Sequence, residues 1–515
     1  MKRNRWIFPV AVTAVAIAAI TVAQDRLLLE SYKAAYLTAF IVLLVSLLMI
    51  VWFAAFSDLS RRTRLGGLIV VAGVAVAGVI FLKLTTRVDG TVSGVGVPRL
   101  VWKWTPRAGE NTVELPAVTP GSAIHVDLAN TAPMDFPEFL GPGRQNAITG
   151  VGLSRDWSTP PRKLWRQPIG LGWGSFAIVG PFAVTQEQRG STEVIVCYET
   201  ATGKVCWLHS NPNARFTEWQ GGDGPRATPT ITGGRVYATG ATGILDCLDG
   251  ATGRVIWSHD VLEETSSHNL TYGKTCSPLV TDELVIVTGG EGGPALLALH
   301  KQDGASAWKA GGETPGYASP MLATLGGVQQ VVTINSQSAA GYALADGQPL
   351  WRFAWSGGMP KVPQTVPLDH DRVLISAGYG LGTLVLQVSS APDGKQSVRT
   401  LWESRSLKPK MSNVVVHQNF VYGLDDGILT CLNLETGKRM WRGDSYGFGQ
   451  LLGVDDLLLI QAESGEVALV EANPTAYREL ARFPAISGKT WNNPALSGHR
   501  LLVRNDHEAA CYDLP

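Results

Sequence analysis

Two unlike patterns of apolar residues divide this chain. Within the first ninety residues, Trp6–Ala23, Ala34–Phe56 and Gly66–Leu82 are nearly uncharged runs. The second spans 23 residues, enough to cross a hydrocarbon core of about 30 Å as a helix. The first is close to the minimum length, and the third is shorter and rich in Gly and Val. Beyond residue 136 the apolar segments become short and are bounded by Gly, Pro, Asn, Asp or Thr, a pattern that predicts strands and tight turns. The expected organisation is a membrane region of about three transmembrane helices over 1–83, an extended stalk over 84–135 with a short strand near Leu100–Trp104, and an all-β domain over 136–515.

Basic residues near the apolar runs set the expected orientation. Lys2, Arg3 and Arg5 precede the first run, and Arg61, Arg62 and Arg64 separate the second from the third. Both clusters belong on the cytoplasmic side, which places everything after Leu82 outside, in the periplasm if the membrane is a bacterial inner membrane. The first run also reads as a signal peptide with a poor cleavage site at Thr21-Val22-Ala23, and its removal would leave that side unchanged.

The β region is repetitive. Cys197-Tyr198-Glu199-Thr200-Ala201-Thr202-Gly203-Lys204-Val205-Cys206-Trp207 matches Cys247–Trp257 and Cys431–Trp441, and looser copies end at Trp308, Trp351 and Trp402. A degenerate copy carries Phe483 in the Trp position. Successive spacings from Trp207 are 50, 51, 43, 51, 39 and 42 residues. A period of about 40–50 residues, each unit holding four short strands, is that of a propeller blade. Each copy reads as a hairpin in which Thr-Gly makes the reversal and the second strand ends at Trp, whose indole N–H needs a partner once buried.

Two part-copies complete the count. Asn493–Leu514 is a blade without its Trp strand, and Arg162–Arg166 is a Trp strand, centred on Trp165, without its blade. Joining them closes the ring and removes an exposed sheet edge. The expected fold is an eight-bladed β-propeller with repeat residues Trp165, Trp207, Trp257, Trp308, Trp351, Trp402 and Trp441, or seven blades if the Phe483 copy is an insertion.

Charge adds little. There are 43 Lys and Arg against 43 Asp and Glu, with no clustered basic face of the kind that binds nucleic acid. The repeated Tyr/Leu-(Asp/Glu/Asn)-x-x-Thr-Gly-x-x-x-Trp hairpin resembles the pyrroloquinoline-quinone (PQQ) repeat of quinoprotein-like propellers, over roughly three quarters of the chain. That resemblance implies the fold. Its relatives divide between quinoprotein alcohol dehydrogenases, which hold PQQ and Ca2+ over the propeller axis, and a scaffold lipoprotein of outer-membrane barrel assembly that binds no cofactor. This chain lacks the adjacent cysteines and the Cys-x-x-Cys-His haem motif found among the dehydrogenases.

Candidate ligand residues follow from the predicted topology. Positions before each innermost strand, and the loops joining second to third strands, should ring the mouth of the central channel. They include Glu187, Arg189, Arg226, Gln450, Trp491, Asn492, Arg504 and Asp506. Asp425 and Asp426 are candidates for a hard cation, although Asp-Asp-Gly is also turn chemistry. Four cysteines (Cys197, Cys247, Cys431, Cys511) share one repeat position and suit a small buried hydrophobe. Cys197 and Cys206, read as directly opposite across one hairpin, form the one plausible disulfide. The functional expectation is a membrane-anchored module that binds a small ligand or protein partner outside the cytoplasm; the alternative is a PQQ-dependent oxidoreductase.

Overall fold

The computed structural model describes residues 7–25, 31–57, 59–92, 97–105, 125–358 and 360–515. Helices α1 (Ile7–Asp25), α2 (Ser31–Phe56) and α3 (Arg61–Thr85) occupy the three apolar runs. Two of them contain stretches long and apolar enough to cross a membrane, Leu37–Phe56 and Arg61–Thr85. The run that looked shortest in sequence is thus part of a full-length helix, because Arg61–Leu65 and Lys83–Thr85 extend it at both ends. In α1 (19 residues) the apolar stretch among the described residues is Phe8–Thr21. Ser60 caps α3, its side-chain oxygen accepting from the Thr63 N–H. An antiparallel hairpin, Thr86–Val92 with Val97–Trp102, follows α3 where only one strand was expected.

The β region is an eight-bladed propeller. Seven sheets each take four consecutive strands, from blade 1 (Ala177–Asn211) to blade 7 (Gln450–Pro484), and blade 7 gains a fifth strand, Ala147–Ile148, parallel to its innermost one. In blade 8 the three strands within Ala495–Asp513 are completed by Arg162–Pro168, with Cys511 opposite Trp165. Ring closure therefore uses the strands expected from the part-copies.

The repeat Trp holds neighbouring blades together. Trp207 donates its indole N–H to the Gly250 carbonyl of the next blade at 2.8 Å, Trp402 to Leu434 at 2.7 Å, and Trp165 to Thr200 across the closure at 2.8 Å. Trp351 is the exception, bonding Gln330 in its own blade at 2.6 Å. This docking gives the turn glycine a second duty. At Gly253 and Gly437 φ is +71° and +65°, and an added Cβ would lie 2.6 and 2.5 Å from the Trp207 and Trp402 rings of the preceding blades. The Thr-Gly…Trp motif thus encodes both a reversal within one blade and the seat for its neighbour.

Candidate functional site

Four strands per blade define two faces. The upper face carries the starts of the innermost strands and the loops between second and third strands; the lower face carries the remaining turns. The two ends of the central channel are built differently.

At the lower end a strap crosses the axis. Phe136 bridges to Ile178 of blade 1, and Ile231 of blade 2 donates to the Pro137 carbonyl. Further on, Asn146 Nδ2 donates to Val414 of blade 6, and Ala147–Ile148 join blade 7. Between them Arg144 enters the ring of innermost strands. Its guanidinium donates to the carbonyls of Ser277 (3.2 Å), Pro278 and Pro320 (3.2 Å) and to Thr230 Oγ1 (3.4 Å), and its Nε pairs with Glu138 at 2.9 Å. Three blades are bonded by one buried cation. The backbone is bent to place it: Leu140, Arg144 and Asn146 all have φ between +54° and +65°, a conformation that costs a non-glycine residue about 1–3 kcal/mol. Asp455 anchors the far end, its carboxylate accepting from the N–H groups of Gly150, Val151 and Gly152.

At the upper end the polar positions before the innermost strands are largely spent on stitching blades together. Ser175 N donates to Thr228 Oγ1, Thr228 N to Ser277 Oγ, Ser277 N to Ser319 Oγ and Gln364 N to Asn413 Oδ1, all at 2.8–3.0 Å. Gln450 Nε2 donates to the Met411 and Trp491 carbonyls, and Asn492 Nδ2 to Gly172 and Gly174. The side-chain carbonyl oxygens of Gln364, Gln450 and Asn492 are buried without a protein partner.

The charged candidates are partnered too. Glu187 accepts from Gly170 N (2.9 Å), Arg189 Nε (2.8 Å) and the Tyr198 hydroxyl (2.5 Å). Arg504 is fully buried and donates to Thr185 Oγ1 and to the carbonyls of Gln186, Gly170 and Gly172 at 2.8–3.3 Å, joining blade 8 to blade 1. Desolvation lowers its pKa, with Glu187 opposing. Arg226 donates to Gly224 and Gly222 and lies over the Phe216 ring; burial pushes its pKa down to about 10. Asp506 pairs with His507 Nδ1 at 2.7 Å, which raises the histidine pKa. The structure thus brings Glu187, Arg189 and Arg504 together at the blade 8–blade 1 seam, where they bond within the propeller.

Asp425 and Asp426 are likewise neutralised. Lys408 reaches both, Lys410 Nζ lies 3.2 Å from Asp426, and Arg442 lies 3.7 Å from Asp425. Three cations around two carboxylates leave no donor set for Ca2+, and among the described residues no group of three His, Cys, Asp or Glu could hold a metal ion. The Asp425–Asp426 pair is therefore spent on ion pairs within the propeller. Glu463, another carboxylate there, accepts from the Trp491 indole and from Phe448 N at 3.0 Å.

Aromatic rings and cations lie beneath the mouth, where Trp173, Trp491, Phe448 and Lys410 are buried and only Tyr379 is well exposed. Trp173 and Trp491 lie 5.3 Å apart, with the half-buried Lys489 ammonium 4.7 and 4.1 Å from their ring centres. Lys410 lies 4.9 Å from Phe448 and 5.6 Å from the exposed Tyr379. Sequence reading missed these lysines, although a spacing carries them. Lys274, Lys361, Lys410 and Lys489 each stand three residues before a stitching position, Ser277, Gln364, Asn413 and Asn492. Burial pushes Lys274 and Lys361 down to about 8. Glu193, also missed, accepts from Ala241 N and is pushed up to about 8 by burial.

Fold and repeat together define a β-propeller protein of the PQQ-like type. A family profile described as outer membrane protein assembly factor BamB matches residues 191–443. The crystal structure of BamB from Moraxella catarrhalis is similar with TM-score 0.50 and 16% identity, over 69% of this chain and 100% of that one. Quinohemoprotein alcohol dehydrogenase from Comamonas testosteroni gives 0.57 and 13%, over 75% and 81%. A europium-containing methanol dehydrogenase gives 0.58 and 10%, over 74% and 98%. At such identities the likeness is one of fold, shared by an assembly factor and by enzymes. No curated protein sequence matches the chain.

Proposed function

We propose that this chain is a membrane-anchored, non-enzymatic binding or scaffolding propeller that presents its upper face to a small ligand or protein partner outside the cytoplasm, in the periplasm of a bacterial cell. The observation that carries this reading is the contrast between partnered interior and reachable rim. Glu187, Arg189, Arg226, Arg504, Asp425 and Asp426 are committed to bonds within the propeller. Lys489, Asp506, His507 and Tyr379 keep partial or full exposure, a mix of ring and charges that suits a contact face. The anchor is supported by the two long apolar helices, and the outward side by Arg61, Arg62 and Arg64 between them.

Two measurements test the proposal. A carboxyl-terminal alkaline phosphatase fusion should be active and the matching green fluorescent protein fusion dark; the reverse would move the propeller to the cytoplasm. Titration of the purified chain with PQQ and calcium should show no saturable binding at micromolar cofactor. Saturable binding with dye reduction would replace the scaffold by an oxidoreductase.

A further inference from the structure

Blade 1 differs from the other well-matched blades at one repeat position. In each, the hairpin of the third and fourth strands carries a bulge just before the Trp: Cys197 pairs with Trp207 and Tyr198 with Val205, so Cys206 pairs with nothing. The same step leaves Ile256 unpaired in blade 2 and Met440 in blade 6. Cys206 is therefore not directly opposite Cys197, as simple alternation suggested. A bulge breaks the alternation of faces, however, and allows consecutive residues to share one. Cys197 and Trp207 are both buried in the core between blades 1 and 2, and Cys206 packs against that same cluster. Both thiols are free, and they lie close enough that the ionisation of each responds to the other.

We infer that Cys197 and Cys206 form a redox-responsive pair that closes to a disulfide when a dithiol–disulfide oxidant is present. Cys206 is the partly exposed member and Cys197 the fully buried one. The Cys206 thiolate attacks the oxidant's disulfide, forming a mixed disulfide and releasing one of its sulfurs as a thiol. Cys197 gives up its proton and attacks Cys206 Sγ, releasing the second. Two electrons and two protons pass to the oxidant, which leaves as a dithiol. The Cys197 thiol beside it lowers the Cys206 pKa, as suits the attacking sulfur, while burial raises that of Cys197.

The position gives the bond a consequence. The turn between the two strands receives the closing strand: Trp165 donates to Thr200 O at 2.8 Å, Gln167 to Gly203 O at 2.9 Å, and Arg500 to Thr200 Oγ1 at 3.2 Å. A crosslink at the base of that turn stiffens the seat on which the ring closes.

The test uses the full chain in detergent, equilibrated with reduced and oxidised glutathione at graded ratios, acid-quenched and alkylated in denaturant. Labelled thiols should fall from six to four as the ratio becomes oxidising. Cys206→Ser should stay at five, and Cys431→Ser should fall from five to three. Mass spectrometry should find one crosslink, joining Cys197 and Cys206, and the oxidised protein should unfold at higher urea than the reduced one. Six thiols at every ratio, or a crosslink through another cysteine, would overturn the inference.

Discussion

The two ends of the channel meet the same problem with opposite solutions. At the lower end one strap crosses the axis, and its single buried guanidinium reaches up the channel to the starts of the innermost strands of blades 2, 3 and 4. At the upper end every blade contributes its own polar side chain, and of the large residues beside them Lys489 is half-buried and Tyr379 exposed. The lower end is a fixed closure under backbone strain. The upper end is a belt of separate contacts, of which the outermost can change without opening the ring. The difference teaches where binding can evolve: a face sealed by one interdependent strap is costly to alter, and a rim of modular contacts is not.

Replacing Arg144 tests the fixed end and carries the largest expected effect. Arg144→Ala leaves the Ser277, Pro278 and Pro320 carbonyls buried without their cation and Glu138 without its pair. A loss of about 3–5 kcal/mol is expected, read from the urea midpoint, with Arg144→Lys recovering part of it. A loss below about 1 kcal/mol would reduce the strap to a surface decoration.

Next comes the blade-to-blade seat that both ends depend on. Gly253→Ala forces a Cβ against the Trp207 ring at positive φ and should cost about 2–3 kcal/mol. Trp207→Phe removes the bond to Gly250 while keeping most of the packing and should cost less, about 1–2 kcal/mol.

The upper region should also show its own pH dependence. Glu193 has a native pKa near 8, above its unfolded value, so the native state holds the extra proton between. Its contribution to stability is complete below the unfolded pKa and is lost as pH rises through about 8. Lys274 is shifted the other way, to about 8 from an ordinary value of 10.5. Its cost is full below 8 and relieved as pH rises towards 10.5. Urea midpoints should therefore fall from pH 5 to 8 and recover above it. Glu193→Gln should flatten the first limb and Lys274→Met the second, while Arg144 variants shift the whole curve.

The smallest effect belongs to the rim. Lys489→Ala removes a cation from between two Trp rings at a half-buried site, and the stability change should stay within about 1 kcal/mol. A larger loss would make the rim part of the closure and erase the contrast between the ends.

The propeller was legible because its information is local and repeated: Thr-Gly turns, Trp strands and a period near 45 residues recur often enough to count blades and to assign Trp165 to the last one. The strap was not. Arg144 finds its partners 86 to 176 residues away, and no repeat or spacing announces them. Its positive-φ neighbours are Leu and Asn as well as Gly, so even the bend is weakly marked. Glu187, Arg189, Gln450 and Arg504, expected in loops or before strands, lie within strands, and sequence cannot say whether Arg504 faces solvent or four acceptors in the adjoining blade. The bulge at Cys206 shows the same limit: a one-residue step, invisible in the pattern, decides which side chains meet.

The central claim is that the upper face works and the lower face is closed. A photo-crosslinking amino acid at Tyr379 and His507 on the upper face, and at Thr252 and Asp393 in lower turns, tests it directly in the native membrane. Discrete adducts from the two upper positions and none from the lower pair are the predicted result. Adducts from Thr252 or Asp393, with none from Tyr379 or His507, would contradict it.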